Sequence, residues 1–356
     1  MSEKKVTRRD VLKVGAAAGV TAAAGTLATA TSVFGKEKKK KAKFKFRIQC
    51  HWPIGVEYYK LYYEGYCNRV REATDGEVDI TPYASGTIVP TKDTLEACGN
   101  GLLDMNWCWP AYWQGKMPVA SLACGHTFVW ENFSQMYWNT FMQETMPIYR
   151  AAWAEHGVHL ISFMGVDGIT VWSKRPLRTI DDFKGLKIRS TGTPADTLKK
   201  AGATPVYFPG SELYQALQTG VCDAAHWGAT YTGYEMKFNE VTKYIVQPDI
   251  ARVSNAEIFI NMDKWNKLPK DIQKIMDDCA MANNYGLFAY CDYMSKLDMN
   301  KFVNEQGGEI CRLEPKTIEQ LKVYSDEVLD EYAKKDPKYC GPVVKKYKEM
   351  FALTRS

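Results

Sequence analysis

The pattern that most constrains the fold is a strand–helix–strand arrangement that occurs twice. Residues 44–107 alternate short apolar strands with helical segments, and residues 158–225 do so again. Strands joined by helices at this spacing pair in parallel through right-handed crossovers. From residue 269 onward the pattern is helical, with breaks at Gly307-Gly308 and near Pro337. The sequence therefore predicts an α/β fold with two lobes, crossing strands and a helical C-terminal region.

The same pattern predicts how the chain is divided. Two separate strands are expected at Val158–Phe163 and Gly168–Ser173, and a strand at Glu257–Asn261 is expected to return to the first lobe. The predicted parts are a signal and basic linker (1–43), a first lobe (44–166, with 256–300 returning to it), a second lobe (167–255) and C-terminal helices (301–356).

The amino terminus has the features of an export signal. The pair Arg8-Arg9 precedes an uncharged run, Val14 to Phe34, that is mostly Ala, Gly and Thr and too weakly hydrophobic for a permanent anchor. Small residues before Ala30 suit cleavage after it. This is typical of a twin-arginine signal and predicts a periplasmic protein. The alternatives are an uncleaved membrane tether and a cytosolic protein with a basic tail.

Composition and motifs exclude several functional classes. The chain carries a formal net charge of +5, but residues 1–47 hold thirteen basic and three acidic residues, so the remainder is mildly acidic. The basic excess is therefore no nucleic-acid face. Ten cysteines include no CxxC pair, which excludes the common zinc and haem motifs. They fit small core positions, although disulfides stay an alternative in an exported protein.

Four motifs, in the order in which they occur, resemble the solute-binding proteins of tripartite ATP-independent periplasmic (TRAP) transporters, the DctP-like family. They are Ser85–Pro90 with Gly101–Met105, Ala111–Lys116, Asp181–Ser190, and Pro209–Ala225. The similarity extends from about residue 44 to 335 and is greatest to the branch that binds 2-oxo acids and related carboxylates. The resemblance implies an extracytoplasmic receptor that captures a small organic acid (a 2-oxo or hydroxy monocarboxylate) between two lobes and delivers it to membrane permease subunits.

The resemblance also implies site residues. Arg189 stands where the related branch pairs an arginine with the substrate carboxylate, and a guanidinium donates two parallel hydrogen bonds to such a group. The alternative is a surface arginine that closes a strand. Trp227 is expected as a pocket wall rather than a core aromatic. Tyr112 and Trp113 are expected to face the same crevice from the first lobe, and Asn255 to contact substrate near the hinge.

A metal site is the feature of the related branch that this sequence departs from. There a Trp followed by an acid, and a Gln four residues before another Trp, hold a cation, and the Gln also binds the substrate, so Asp167 and Gly168 are expected at the substrate here. Here Gly228 follows Trp227, and Gly168, beside Asp167, stands in the place of the Gln. Because a hard cation needs several oxygen ligands, we predict substrate binding with no cofactor. Sodium or calcium is the alternative, with the Trp227 and Gly228 carbonyls and the Asp167 carboxylate as its ligands.

The main alternative to a receptor is a periplasmic enzyme or cofactor-binding protein, because the twin-arginine route exports folded proteins. The sequence contains no GxSxG, no Walker loop and no glycine-rich dinucleotide turn. Of the five histidines, only His156 and His159 are close together. We therefore predict a binding protein and no enzyme. The sequence leaves open whether it forms a homodimer.

Overall fold

A computed structural model of the chain describes residues 41–142 and 145–354. Within these residues nine strands form one sheet. The strands are β1 (Phe44–Cys50), β2 (Val78–Tyr83), β3 (Met105–Cys108), β4 (Val158–Ser173), β5 (Lys187–Arg189), β6 (Thr204–Val206), β7 (Ala224–His226), β8 (Tyr244–Asn261) and β9 (Glu309–Arg312). Their order is β2-β1-β3-β8-β4-β7-β5-β6, and β9 pairs with β8.

The sheet has two parallel groups of strands joined by an antiparallel pair. In the β1–β3 half, β1 pairs in parallel with β2 and β3; in the β5–β7 half, β5 pairs in parallel with β6 and β7. The long strands β4 and β8 pair antiparallel with each other. They connect the halves because β8 also pairs with β3, and β4 with β7.

The two long strands correct the sequence prediction. Val158–Phe163 and Gly168–Ser173 belong to one strand of 16 residues, and β8 has 18 residues instead of the five predicted. Two glycines were misread as breaks. A Cβ on Gly165 would lie 2.4 Å from the Phe133 ring, and one on Gly168 would lie 2.5 Å from Asp249 Oδ2. Both glycines therefore allow close packing within a continuous strand.

Twelve α-helices occur in the described residues. They are α1 (Glu64–Ala73), α2 (Thr94–Gly99), α3 (Val119–Leu122), α4 (Phe133–Tyr137), α5 (Thr145–Ala154), α6 (Gly192–Lys200), α7 (Leu213–Thr219), α8 (Thr230–Glu235), α9 (Met262–Asn266), α10 (Lys270–Gln306), α11 (Pro315–Lys335) and α12 (Cys340–Thr354). None of the helices in this part of the chain is long and apolar enough to cross a membrane.

The helix α10 links the two halves of the sheet. Its 37 residues pack on β4 and also contact α1 and α8. The helix ends where Gly307 adopts φ +70°, a conformation that glycine tolerates without strain, and the Gly308 N–H donates to the Phe302 carbonyl. The helical pattern and its glycine break are confirmed. The strand β9, which directly follows the break, was not predicted.

The core contains the apolar side chains of both halves and the cysteines. One aromatic cluster surrounds the fully buried Trp107, whose ring lies 5.8–6.4 Å from those of Tyr58, Tyr63 and Tyr66. All ten cysteines belong to the described residues, and each is buried and free of a disulfide. They fill small spaces in the core, and burial raises the pKa of their thiols.

Candidate ligand-binding site

A cavity lies where strand ends from both halves meet. It comprises about 580 Å³ of space outside the protein atoms, part of which is open to solvent. The residues that follow β1 and β3 contact it from one half, and the ends of β5 and β7 contact it from the other. Ligands of α/β sheets bind at such carboxyl ends. The lining residues are His51, Trp52, Tyr58, Trp109, Tyr112, Gly125, Val166, Ile169, Arg189, Thr191, Pro194, His226, Trp227, Gly228 and Ala256.

Arg189 supplies the positive charge of the cavity. Its side chain is 3% exposed, with Nε 3.3 Å from the Phe208 carbonyl oxygen and Nη1 3.4 Å from the His226 carbonyl oxygen. The guanidinium also hydrogen-bonds the Tyr112 hydroxyl. Burial lowers its pKa, yet an arginine stays charged. Within residues 41–142 and 145–354 no carboxylate pairs with Arg189, so the buried charge is free for an anion.

Aromatic rings form most of the remaining wall. Trp52 lies 4.7 Å from Tyr58 and 5.3 Å from Trp227, ring centre to ring centre. The Trp227 ring fits into the wall because it lies against Gly210, which has no side chain. A Cβ at residue 210 would lie 2.7 Å from ring atom Cζ2 of Trp227. On the other side, Trp109 Nε1 donates to Thr191 Oγ1 across the cavity. The cavity therefore offers one charge surrounded by a mostly apolar surface.

Two neutral histidines flank the arginine. His51 Nδ1 lies 3.3 Å from the Trp107 carbonyl oxygen, and burial lowers the pKa of this ring to about 4. His226 Nδ1 lies 3.2 Å from Ser190 Oγ, and burial, helped by the charge of Arg189, lowers its pKa to about 3. Both rings are therefore uncharged near neutral pH, and the lining carries the single charge of Arg189.

The predicted residues divide into those that line the cavity and those that do not. Tyr112, Arg189, Trp227 and Gly228 line it. Trp113 and Asn255 lie behind the wall. Trp113 Nε1 donates to the buried carboxylate of Glu257, and Asn255 Nδ2 donates to the Ala123 carbonyl. Ala256 faces the cavity, so strand alternation directs residues 255 and 257 to the opposite face.

Asp167 and Gly168 also lie outside the lining. The Asp167 carboxylate hydrogen-bonds the Ser295 hydroxyl of α10, and burial raises its pKa to about 6. Its neighbours on β4, Val166 and Ile169, are the residues that contact the cavity. A side chain directed at α10 brings no oxygen to a ligand in the cavity.

The lining residues do not fit a resident metal ion. Gly228 has no side-chain donor and adopts φ +59°, and a Cβ there would lie 2.3 Å from Thr232 Oγ1. The described residues contain no group of three or more His, Cys, Asp or Glu side chains placed to hold a metal.

Sequence reasoning missed the part of the wall that follows β1. His51, Trp52 and Tyr58 all line the cavity. The signal was available, because the strand-end rule that pointed to Tyr112 and Trp227 applies equally to the His-Trp-Pro stretch after the first strand. His226 was missed as well, because only its surroundings in the folded chain reveal that it lines the cavity.

The sheet and its cavity define a class. Two α/β halves joined by long strands, with a cavity between their strand ends, are the architecture of a two-lobed solute-binding protein. The chain belongs to family 7 of the bacterial extracellular solute-binding proteins (DctP), whose family model matches residues 57–336.

Individual relatives agree with this assignment. A monocarboxylate 2-oxoacid-binding periplasmic protein of Nostoc is 25% identical over 337 residues, covering 92% of this chain and 90% of that protein. A C4-dicarboxylate-binding periplasmic protein of Rhodobacter capsulatus is 27% identical over 224 residues, 59% of this chain and 63% of that protein.

Solved structures share the fold. A TRAP periplasmic solute-binding protein of Pseudoalteromonas atlantica with bound sodium and pyruvate superposes with a TM-score of 0.80 at 20% identity, covering 88% of this chain and 95% of that one. One from Colwellia psychrerythraea with bound calcium and pyruvate gives the same TM-score and coverage at 21% identity.

These findings confirm the predicted resemblance, the two-lobed α/β fold and the choice of a binding protein over an enzyme. Because the family is extracellular, the chain works outside the cytoplasm. The paired arginines and the predicted cleavage site lie outside the described residues.

Proposed function

We propose that this protein is the receptor of a TRAP transporter and that it captures a small organic monocarboxylate in the cavity described above. The observation that carries the proposal is the buried guanidinium of Arg189, which lacks a carboxylate partner in the described part of the chain. An unpaired buried charge is costly, and a bound carboxylate offsets that cost through two parallel hydrogen bonds.

The charge of the cavity favours a monoanion. Arg189 is the one charged residue of the lining, and His51 and His226 are neutral. A second carboxylate would lie against Trp52, Tyr58 or Trp227 without a cation beside it, which is unfavourable. The 2-oxoacid-binding relative of Nostoc and the two pyruvate-bound structures support the same ligand class.

Capture is proposed to occur by closure of two lobes. Residues 44–166 and 256–300 would form one lobe and residues 167–255 the other, with the helices of 301–356 packed outside. Strands β4 and β8 join the lobes, and their pairing is interrupted between Ile169 and Val171. Such an interruption bends a strand locally. Closure would exclude water and strengthen the hydrogen bonds of Arg189.

The closed receptor is proposed to dock on the permease subunits of the transporter. The surface of one copy alone gives no preference for a monomer or a homodimer. Light scattering with and without an organic acid decides between them.

Export is proposed to follow the twin-arginine route, with cleavage after Ala30. The support is Arg8-Arg9 before the weakly apolar run at 14–34. Replacing both arginines by lysine should leave the precursor in the cytoplasm. Delivery at the normal level would contradict this route, and persistent membrane association of the wild type would favour an uncleaved tether.

A thermal-shift screen of organic acids tests the ligand class. A ligand that binds the native state raises the unfolding midpoint in proportion to the logarithm of its concentration over Kd. Monocarboxylates are expected to raise it, and matched dicarboxylates less. A screen in which only dicarboxylates or neutral solutes act would contradict the proposal.

A further inference from the structure

We propose that His226 is a specificity-determining residue that reads the oxygen at carbon 2 of the bound acid, in a site that works without a metal ion. The inference rests on the proposed function, in which Arg189 holds the carboxylate. It adds the group that distinguishes a 2-oxo or 2-hydroxy acid from a plain carboxylic acid.

The two residues are neighbours in the sheet. Arg189 ends β5 and His226 ends β7, and these strands pair in parallel with Arg189 opposite Ala225. The Arg189 Nη1 group lies 3.4 Å from the His226 carbonyl oxygen, and both residues line the cavity. The oxygen on carbon 2 of an acid is separated from the carboxylate by one carbon–carbon bond. A ligand anchored on Arg189 therefore presents this oxygen within the neighbourhood of the His226 ring.

One ring nitrogen of His226 has no hydrogen-bond partner among the described residues. Nδ1 is held by Ser190 Oγ at 3.2 Å, whereas Nε2 is buried and has no hydrogen-bond partner among the described residues. A buried polar nitrogen is nearly always paired, so a partner from outside the chain is expected. When the Ser190 hydroxyl donates to Nδ1, the proton of the neutral ring resides on Nε2, which then donates to a ligand oxygen.

The neutral imidazole takes the place that a cation would otherwise fill. Gly228 offers no side-chain oxygen, and Asp167 is directed at Ser295. With the Ser190 hydroxyl donating to Nδ1, the His226 ring offers one N–H at the buried Nε2. A single neutral donor suits a keto or hydroxyl oxygen, and it adds no second charge for a second carboxylate.

A ligand-and-variant cycle tests the proposal. Calorimetry is run in a sodium-free buffer that contains EDTA, with pyruvate against propionate, and with 4-methyl-2-oxopentanoate against 4-methylpentanoate, because each pair differs only by the 2-oxo oxygen. The wild type should prefer the 2-oxo acid by about tenfold, the effect of one hydrogen bond. His226→Phe should remove this preference while retaining affinity for the plain acids, and His226→Gln should restore part of it.

A second measurement covers the case in which His226→Phe does not fold. The wild-type protein is labelled with ¹⁵N-histidine, and the Nε2 resonance of His226 is assigned by its loss in His226→Gln. This resonance should shift when the 2-oxo acid is added and should not shift with the plain acid.

The outcomes separate the two proposals. Three results would overturn the role of His226 and leave that of Arg189 in place. They are a 2-oxo preference that persists in His226→Phe, an Nε2 resonance that does not shift with the ligand, and an affinity that is lost in the EDTA buffer and restored by sodium or calcium. Binding of all four acids that is unaffected by Arg189→Ala overturns the proposed function itself.

Discussion

The two halves of the sheet contribute different chemistry to one cavity. The β5–β7 half supplies Arg189 and His226, the one charge and a neutral donor, both at strand ends. The β1–β3 half supplies mainly rings, including Trp52, Trp109 and Tyr112. We call the β5–β7 half the anchor, because it holds the anion, and the β1–β3 half the cover, because its rings form an apolar wall.

This division assigns separate roles to the halves. The anchor selects for a carboxylate, because a buried guanidinium strongly favours an anion. The cover selects for the rest of the molecule by area and shape and excludes water, which strengthens the contacts of the anchor. Variants in the anchor should therefore change affinity more than variants in the cover.

The largest expected effect is that of removing the anchor charge. Arg189→Ala should weaken binding of a monocarboxylate by about 2–5 kcal/mol, because the ligand charge is then buried without a partner. Arg189→Lys should recover only part of this, since an ammonium lacks the planar fork. Calorimetry is the measurement. Arg175→Ala is the matched control, because Arg175 bonds surface carbonyls of Asp182 and Lys184. Equal affinity of all three variants and the parent would refute the anchor.

A smaller effect is expected from the cover. Trp52→Leu should weaken binding by about 1–2 kcal/mol, because it removes a flat ring from the wall and its contacts with Tyr58 and Trp227. The loss should be similar for all monocarboxylates, whereas Arg189 variants lose the carboxylate itself. Trp138→Leu, at a ring that is 52% exposed, is the control. A loss from Trp52→Leu as large as that from Arg189→Ala would reverse the assigned roles.

The third effect concerns the strands between the halves and is a pH dependence of stability rather than a change in affinity. Burial, and then the charge of Asp167, raises the pKa of Asp249 from 3.8 to about 7. The folded chain therefore holds a proton that the unfolded chain has released. Stability should fall as pH rises from about 4 to about 7.

Urea unfolding at pH 5 and pH 8 measures this decline. Asp249→Asn should reduce it, because an amide cannot lose the proton, and Asp167, whose pKa is also raised, should retain part of it. Asp181→Asn, at an exposed side chain paired with Lys184, should leave it unchanged. A decline of the same size in Asp249→Asn would show that another group is responsible.

The sequence predicted the class of fold because alternating strands and helices leave few topologies open. It did not predict that β4 and β8 are continuous, because Gly165 and Gly168 look like breaks until the side chains packed against them are seen. The continuity of these strands depends on packing between residues far apart in the sequence, which a local sequence pattern does not contain.

The site was predictable to the extent that strand ends determine it. Tyr112 and Trp227 follow predicted strands, and both lie at the cavity. Arg189, Asn255 and Asp167 were predicted from the family resemblance, and of these three Arg189 lines the cavity. Which face of a strand a residue occupies depends on register, and a shift of one residue directs the side chain to the other face.

The claim that Arg189 binds the carboxylate of a monoanion is tested by calorimetry of the purified protein. Matched monocarboxylates and dicarboxylates are titrated into the wild type and into Arg189→Ala. We expect one monocarboxylate bound per chain, weaker binding of the dicarboxylates, and a loss of monocarboxylate affinity of about thirtyfold or more in Arg189→Ala. Tighter binding of a dicarboxylate, or monocarboxylate binding that does not depend on Arg189, would contradict it.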